Sequence, residues 1–142
     1  MNRVDLQQLA GIRIVEASAL LTLPVPMPDG AYYLAGYAVE CGLKACIAKG
    51  YGPESWPEKE FVVKCHTHEI FALIRHAGLE AALNVAVAVN PAILTNLKIV
   101  KYWSESSRYG TPKLRPKAYT MPSPTLLTEC SHGSRPTGNA TD

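Results

Sequence analysis

Residues 29–50, DGAYYLAGYAVECGLKACIAKG, read as one helix that is apolar on most of its surface. When the residues are placed 100° apart, small side chains gather on one side and larger ones on a second. Only a narrow polar stripe remains, and it contains Tyr37, Glu40 and Lys44. A helix that is apolar on nearly every side must be covered on nearly every side. The segment is therefore predicted to be the central helix of an all-α domain.

A first helix is predicted before this segment, over residues 4–23, because apolar residues recur there every three or four positions. The prolines of PVPMPDG end that helix, and Asp29 is the expected N-cap of the central helix. After the central helix, KGYGPESWPEKEF is rich in glycine, proline and charge. Residues 49–61 are therefore predicted to be a loop.

Two further helices are predicted in the second half of the chain. One starts near His66 with Thr67 as its cap, and Gly78 interrupts it before LEAALNVAVAV continues as a helical stretch. Asn90, followed by proline, signals another start, because asparagine caps helices and proline suits the first helical position. The last helix is predicted over residues 91–107.

The composition changes after this helix. Residues 111–142 contain five prolines and no apolar periodicity, so they are predicted to be a poorly structured, disordered tail. The expected fold is an up-and-down bundle of four to five helices over residues 1–110. A chain of 142 residues suits one such domain without a metal or disulfide to hold it together.

The charged and cysteine residues exclude several classes of protein. No apolar run reaches the roughly 18 residues of a membrane span, so neither a membrane anchor nor a signal peptide is predicted. The four cysteines do not resemble a disulfide framework, which favours the cytoplasm. KCHTHEI places Cys65 beside His66 and His68, but a zinc site needs four ligands, so neither metal nor cofactor is expected. His68 is instead expected to bond locally in a first helical turn.

A basic segment follows in KYWSESSRYGTPK. Six basic residues and one acid lie between Lys98 and Lys117. Lys98, Lys101 and Arg108 could hold phosphate, with Tyr109 available to stack on a base. The alternative is a solvated helix end, in which Arg108 caps the last carbonyl groups and Trp103 packs on the core. Glu40 and Lys44 likewise allow two interpretations, a solvated edge of the central helix or the lining of a cleft.

Three segments together resemble the HEPN family, small helical domains of prokaryotic toxin–antitoxin and defence systems. YYLAGYAVECGLKACIAK is similar to the family's second-helix pattern, which contains an Ala-x-Tyr-Ala-x-Glu-x-x-Leu-Lys-Ala core. HTHEIFALIRHAGL resembles the His-Asp/Glu-Leu start of its next helix, and LKIVKYWSESSRYG resembles the Trp-Ser-x-Glu-x-Arg-Tyr end of its fourth. The segments occur in the family's order and span roughly residues 5–110.

The resemblance implies a cleft near the fourth helix, lined by residues such as Glu40, Lys44 and Arg108, and a homodimer that faces its fourth helices across it. Tyr102 and Trp103 are the expected dimer anchors, since aromatic residues dominate interface hot spots. The family commonly continues into a fifth amphipathic helix. The proline-rich tail departs from that pattern and suggests an altered end.

Many HEPN members are metal-independent ribonucleases that carry arginine, four to six residues, then histidine on the fourth helix. No arginine in this chain is followed by histidine at that distance, and NLKIVKY places Asn96 and Lys101 there. We therefore assign none of the family's catalytic residues to this chain. The expected function is a non-catalytic or weakly active domain that binds RNA, a nucleotide or a nucleotidyltransferase-type partner. The alternatives are a ribonuclease that uses Arg108, Lys101 and Glu40, or a purely structural interaction module.

Overall fold

The computed structural model describes residues 2–51 and 58–109, and these ranges form a helical bundle without any strand. The predicted all-α class is confirmed. The elements are α1 (Arg3–Thr22), α2 (Pro28–Lys49), α3 (Lys59–Cys65), α4 (Ile70–His76), α5 (Glu80–Val89), α6 (Ala92–Val100) and a short 3-10 helix, η1 (Glu105–Tyr109). The prediction of a disordered tail concerns residues 111–142, which lie outside the described residues.

Helix α2 is the centre of the bundle, as its sequence predicts. Half of its 22 residues are buried, and α1, α4 and η1 all pack against it. Its start differs from the prediction, because the helix begins at Pro28 after Met27, and Asp29 lies inside the first turn. Proline has a fixed φ and no N–H to leave unpaired, so it fits the first helical position better than it fits a flanking loop.

The bundle has two apolar regions. Where α1 meets α2, the fully buried side chains are alanines, Ala17, Ala31 and Ala35, so the two helices can approach closely. Larger residues fill the other region, contributed by α2, α4, α6 and the turn after α6: Tyr32, Leu43, Ile47, Ile70, Leu73, Ile74, Ile99, Val100 and Trp103. The Tyr32 hydroxyl donates to the Ile99 carbonyl at 3.1 Å, which joins α2 to α6.

The region between α2 and α4 corrects two predictions. The predicted loop over residues 49–61 ends early, because α3 begins at Lys59 and Phe61 packs against the core. Residues 52–57 of that loop lie outside the described residues. No helix starts at His66. The chain turns there, the Thr67 hydroxyl accepts from the Glu69 amide at 3.1 Å, and α4 begins only at Ile70.

Gly78 separates α4 from α5, as predicted. Its φ of 67° lies in the left-handed region, where a residue without Cβ is favoured. The start of α6 also follows the prediction closely, since the Asn90 side chain accepts from the Ala92 amide at 3.1 Å. No single helix in the described ranges is long and apolar enough to cross a membrane; α4 and α5 together have the length and composition of a broken span, with a 111° bend between them.

The last predicted helix, residues 91–107, is wrong in its second half. Helix α6 ends at Val100, a turn follows, and the chain re-forms a helix only as η1. The Ser104 amide bonds to the Ser107 side chain at 3.1 Å instead of to a helical carbonyl. Serine side chains compete with helical hydrogen bonds in this way, and the break lets Trp103 turn into the core.

Candidate functional site

The site is built around Glu40, the one charged residue that is buried in the described ranges. It lies in the middle of α2 and is only 2% exposed. Lys44, one turn later, places its Nζ 2.7 Å from Oε1 of Glu40. His68, from the turn before α4, places Nδ1 3.0 Å from both carboxylate oxygens. A buried carboxylate is costly unless it is paired and hydrogen-bonded, so these two partners make its burial possible.

His68 extends this network to η1. Its Nε2 lies 2.7 Å from Oε2 of Glu105, the first residue of η1. An imidazole ring donates through both nitrogens only in its protonated form. In that form the Glu40 network (Lys44, Glu40, His68 and Glu105) contains two cations and two carboxylates. The network links α2, the turn before α4 and η1.

The structure excludes one interpretation of Glu40 and shows that one prediction about His68 is wrong. Of the two interpretations of Glu40, the solvated edge is excluded by its burial, although Lys44 is partly exposed and does pair with it at the expected spacing. His68 does not bond locally in a helical turn, since it contacts a residue 28 positions earlier in the chain. Glu105 is a network residue that the sequence does not single out. Its place in the Trp-Ser-x-Glu segment is the available signal, but the segment does not specify a partner.

Trp103 holds the start of the η1 region to α2. It is 3% exposed, and its Nε1 donates to the Tyr33 carbonyl at 3.1 Å. The indole lies directly over Gly36, where a Cβ would be 2.2 Å from the ring atoms Cδ1 and Nε1. Trp103 therefore offers almost no surface to a partner chain. Of the two predicted dimer anchors, Tyr102 is the exposed one, at 73%, and the dimer itself stays a prediction.

Tyr37 lies on the side of α2 that faces α1. Its ring is parallel to that of Tyr33, with centroids 6.3 Å apart, and the Arg13 guanidinium lies 5.9 Å from its centroid. Burial, helped by the nearby Cys41 and Glu40, raises the pKa of the Tyr37 hydroxyl. Tyr37 is thus a neutral, aromatic neighbour of the Glu40 network and contributes no charge to it at neutral pH.

The other predicted site residues lie on the exposed surface of α6, the turn after it and η1. Lys98, Lys101 and Arg108 are exposed, and none of them forms an ion pair within residues 2–51 and 58–109. The guanidinium carbon of Arg108 lies 4.6 Å from the ring centroid of Tyr109. Nζ of Lys101 lies 5.9 Å from the centroid of Tyr102. Arg108 follows α6 by eight residues, so it does not close that helix as predicted.

Cys41 and Cys65 lack the features of an activated thiol. Burial raises the pKa of the Cys41 thiol to about 11, and it also raises the pKa of the Cys65 thiol. A reactive cysteine needs the opposite, a lowered pKa near cations or a helix N-terminus. In the part of the chain that the structure describes, no group of three histidine, cysteine or acidic side chains is arranged to hold a metal ion.

No protein-family model matches the chain, and no curated protein or solved structure matches it significantly. The resemblance to HEPN domains therefore rests on the three sequence segments themselves.

Proposed function

We propose that the chain is a non-catalytic or weakly active HEPN-type domain that binds RNA or a nucleotide through the segment from α6 to η1. The observation that carries the proposal is the set of exposed cations on this segment, Lys98, Lys101 and Arg108, which are free of acidic partners in the described ranges. Cations of this kind bind phosphate by releasing counterions. The exposed ring of Tyr109 beside them can stack on a base.

The contacts between the three resembling segments support the HEPN part of the proposal. Glu40 comes from the first segment, His68 from the second, and Glu105 from the third. These residues are far apart in the chain, yet they form one continuous set of hydrogen bonds. Segments that were selected for a common role would be expected to meet in this way, whereas chance similarities would be scattered over the molecule.

The same network supports the non-catalytic part. A general acid or base must reach the substrate proton with a free atom. Both ring nitrogens of His68 face carboxylates, and the Glu40 oxygens are occupied by Lys44 and His68. Glu40 and His68 therefore have no free atom with which to exchange a proton with RNA. The alternative of a ribonuclease that uses Glu40 as a reacting group is therefore disfavoured.

Fluorescence anisotropy with a labelled single-stranded oligouridylate over a range of salt concentrations tests the proposal. The wild-type affinity should fall steeply with salt. Replacement of Lys101 or Arg108 by alanine should weaken binding and reduce the slope of log affinity against log salt by about 0.7 for each phosphate that the side chain neutralises. Lys64→Ala, on the exposed surface of α3, is the matched control and should change neither quantity. Binding that is absent, or unaffected by Lys101→Ala and Arg108→Ala, would refute RNA recognition by this segment.

Cleavage of the same RNA without metal separates the non-catalytic domain from the ribonuclease. We expect intact RNA after prolonged incubation. Metal-independent cleavage that is abolished in Arg108→Ala would establish the alternative.

A nucleotidyltransferase-type partner is the other ligand that the HEPN resemblance implies, and it would use the same face. It is the expected ligand if the segment binds no RNA or nucleotide, and co-expression with the product of the neighbouring gene would test it.

A further inference from the structure

The short helix η1 carries Arg108 and Tyr109 but has no buried residue of its own. A 3-10 helix of five residues is too short to hold a fixed orientation by itself. Its position must therefore be set by contacts with the rest of the bundle. Helix η1 packs against α2, and two specific contacts help to hold it there: Trp103, which is buried just before η1, and the bond between Glu105 and His68.

These two contacts restrain different parts of the segment. Trp103 fixes the point where the chain leaves the core. Glu105 attaches the first residue of η1 to His68, which is itself fixed, because Nδ1 lies 3.0 Å from both oxygens of the buried Glu40. Lys44 in turn holds Glu40 at 2.7 Å. An attachment to a rigid group narrows the range of orientations that η1 can adopt.

We propose that Glu105 and His68 are positioning residues that hold η1 so that Arg108 and Tyr109 present a phosphate- and base-binding surface to single-stranded RNA. This inference rests on the proposed function, and it adds that the affinity depends on two residues that do not contact the ligand. A pre-ordered segment binds more tightly because it loses less conformational entropy on binding.

The sign of one substitution separates positioning from simple electrostatics. Glu105 is an acid next to a surface that binds phosphate. If only charge mattered, its removal would strengthen RNA binding, because one source of repulsion would disappear. If Glu105 positions η1, its removal weakens binding in spite of the more favourable charge. Its side chain is 59% exposed, so the variant retains the buried core.

The experiment measures the Kd of the labelled oligouridylate for the full chain and for Glu105→Ala, His68→Gln and the double variant. Glu105→Ala should raise Kd about three- to tenfold, and His68→Gln at least as much, because His68 also bonds Glu40. The double variant should match His68→Gln, since the loss of His68 already removes the bond to Glu105. Glu60→Ala removes an exposed acid of α3 that has no ion pair in the described ranges. This control should leave Kd unchanged or lower it. A Kd for Glu105→Ala that follows the control overturns the inference.

Amide hydrogen exchange provides a readout that does not depend on RNA. Peptides that cover residues 104–109 should exchange about tenfold faster in Glu105→Ala and His68→Gln than in the wild type, while peptides from α1 and α2 stay protected. If the wild-type chain binds no RNA, the proposed function fails and these rates alone decide the positioning role. Unchanged exchange at residues 104–109 in both variants overturns it.

Discussion

The contact between Gly36 and Trp103 predicts that Gly36→Ala, a type of substitution that usually stabilises a helix, will destabilise this protein. An alanine in place of a glycine inside a helix usually contributes about 1 kcal/mol. At Gly36 the new Cβ would lie 2.2–2.4 Å from three atoms of the Trp103 indole, closer than any van der Waals contact. The indole is 3% exposed and hydrogen-bonded to the Tyr33 carbonyl, so it cannot move aside without breaking that bond and opening the core.

The expected cost follows from these two effects. Overpacking of a core costs about 1–3 kcal/mol, occasionally more, and breaking the indole hydrogen bond adds about 1 kcal/mol. After the helix-propensity gain is subtracted, Gly36→Ala should lower the free energy of unfolding by about 1–3 kcal/mol. For a folded bundle of roughly 100 residues, each kcal/mol corresponds to about 4–8 °C in Tm. Urea unfolding followed by circular dichroism measures the change.

Gly11 provides the matched control. It also lies inside a helix, α1, but nothing lies within 4 Å of the position that a Cβ would occupy. Gly11→Ala should therefore raise the free energy of unfolding by up to about 1 kcal/mol. The reasoning is refuted if Gly36→Ala stabilises the protein as Gly11→Ala does. A double variant with Trp103→Leu should show strong coupling, because the smaller side chain removes the clash.

Three further predictions concern the core, the surface and the tail. Burial raises the pKa of the Cys41 thiol from 9.0 to about 11, so the thiol ionises first in the unfolded chain as pH rises. The contribution of Cys41 to the free energy of unfolding should therefore be lost between about pH 9 and pH 11, and urea titration should show a smaller fall over that range in Cys41→Ala. The exposed Tyr102 should anchor a homodimer at micromolar concentration, which light scattering measures. A monomeric wild type would contradict this prediction, and so would a Tyr102→Ala variant that still dimerises. A chain that ends after Gly110 should keep its helical circular dichroism and a Tm within a few degrees, whereas a large drop in Tm would show that residues 111–142 pack on the bundle.

The sequence alone determined those features that depend on neighbours within one or two turns. Apolar residues on nearly every side of residues 29–50 require that helix to be central, because the hydrophobic effect acts on any exposed side. Gly78 and Asn90 mark a helix end and a helix start because their conformational and capping preferences are local. The pairing of Glu40 with Lys44 follows from the i,i+4 spacing in the same way.

The tertiary structure decided what depends on residues far apart in the chain. The burial of Glu40 required His68, 28 residues away, and the end of α6 at Val100 required Trp103 to reach the Tyr33 carbonyl, 70 residues away. Neither residue type indicates its partner, because a glutamate or a tryptophan can be satisfied by water, backbone or many side chains. The packing of α2 against α4 and η1 buries Glu40, and it brings His68 and Glu105 close enough to bond with each other and His68 close enough to bond with Glu40.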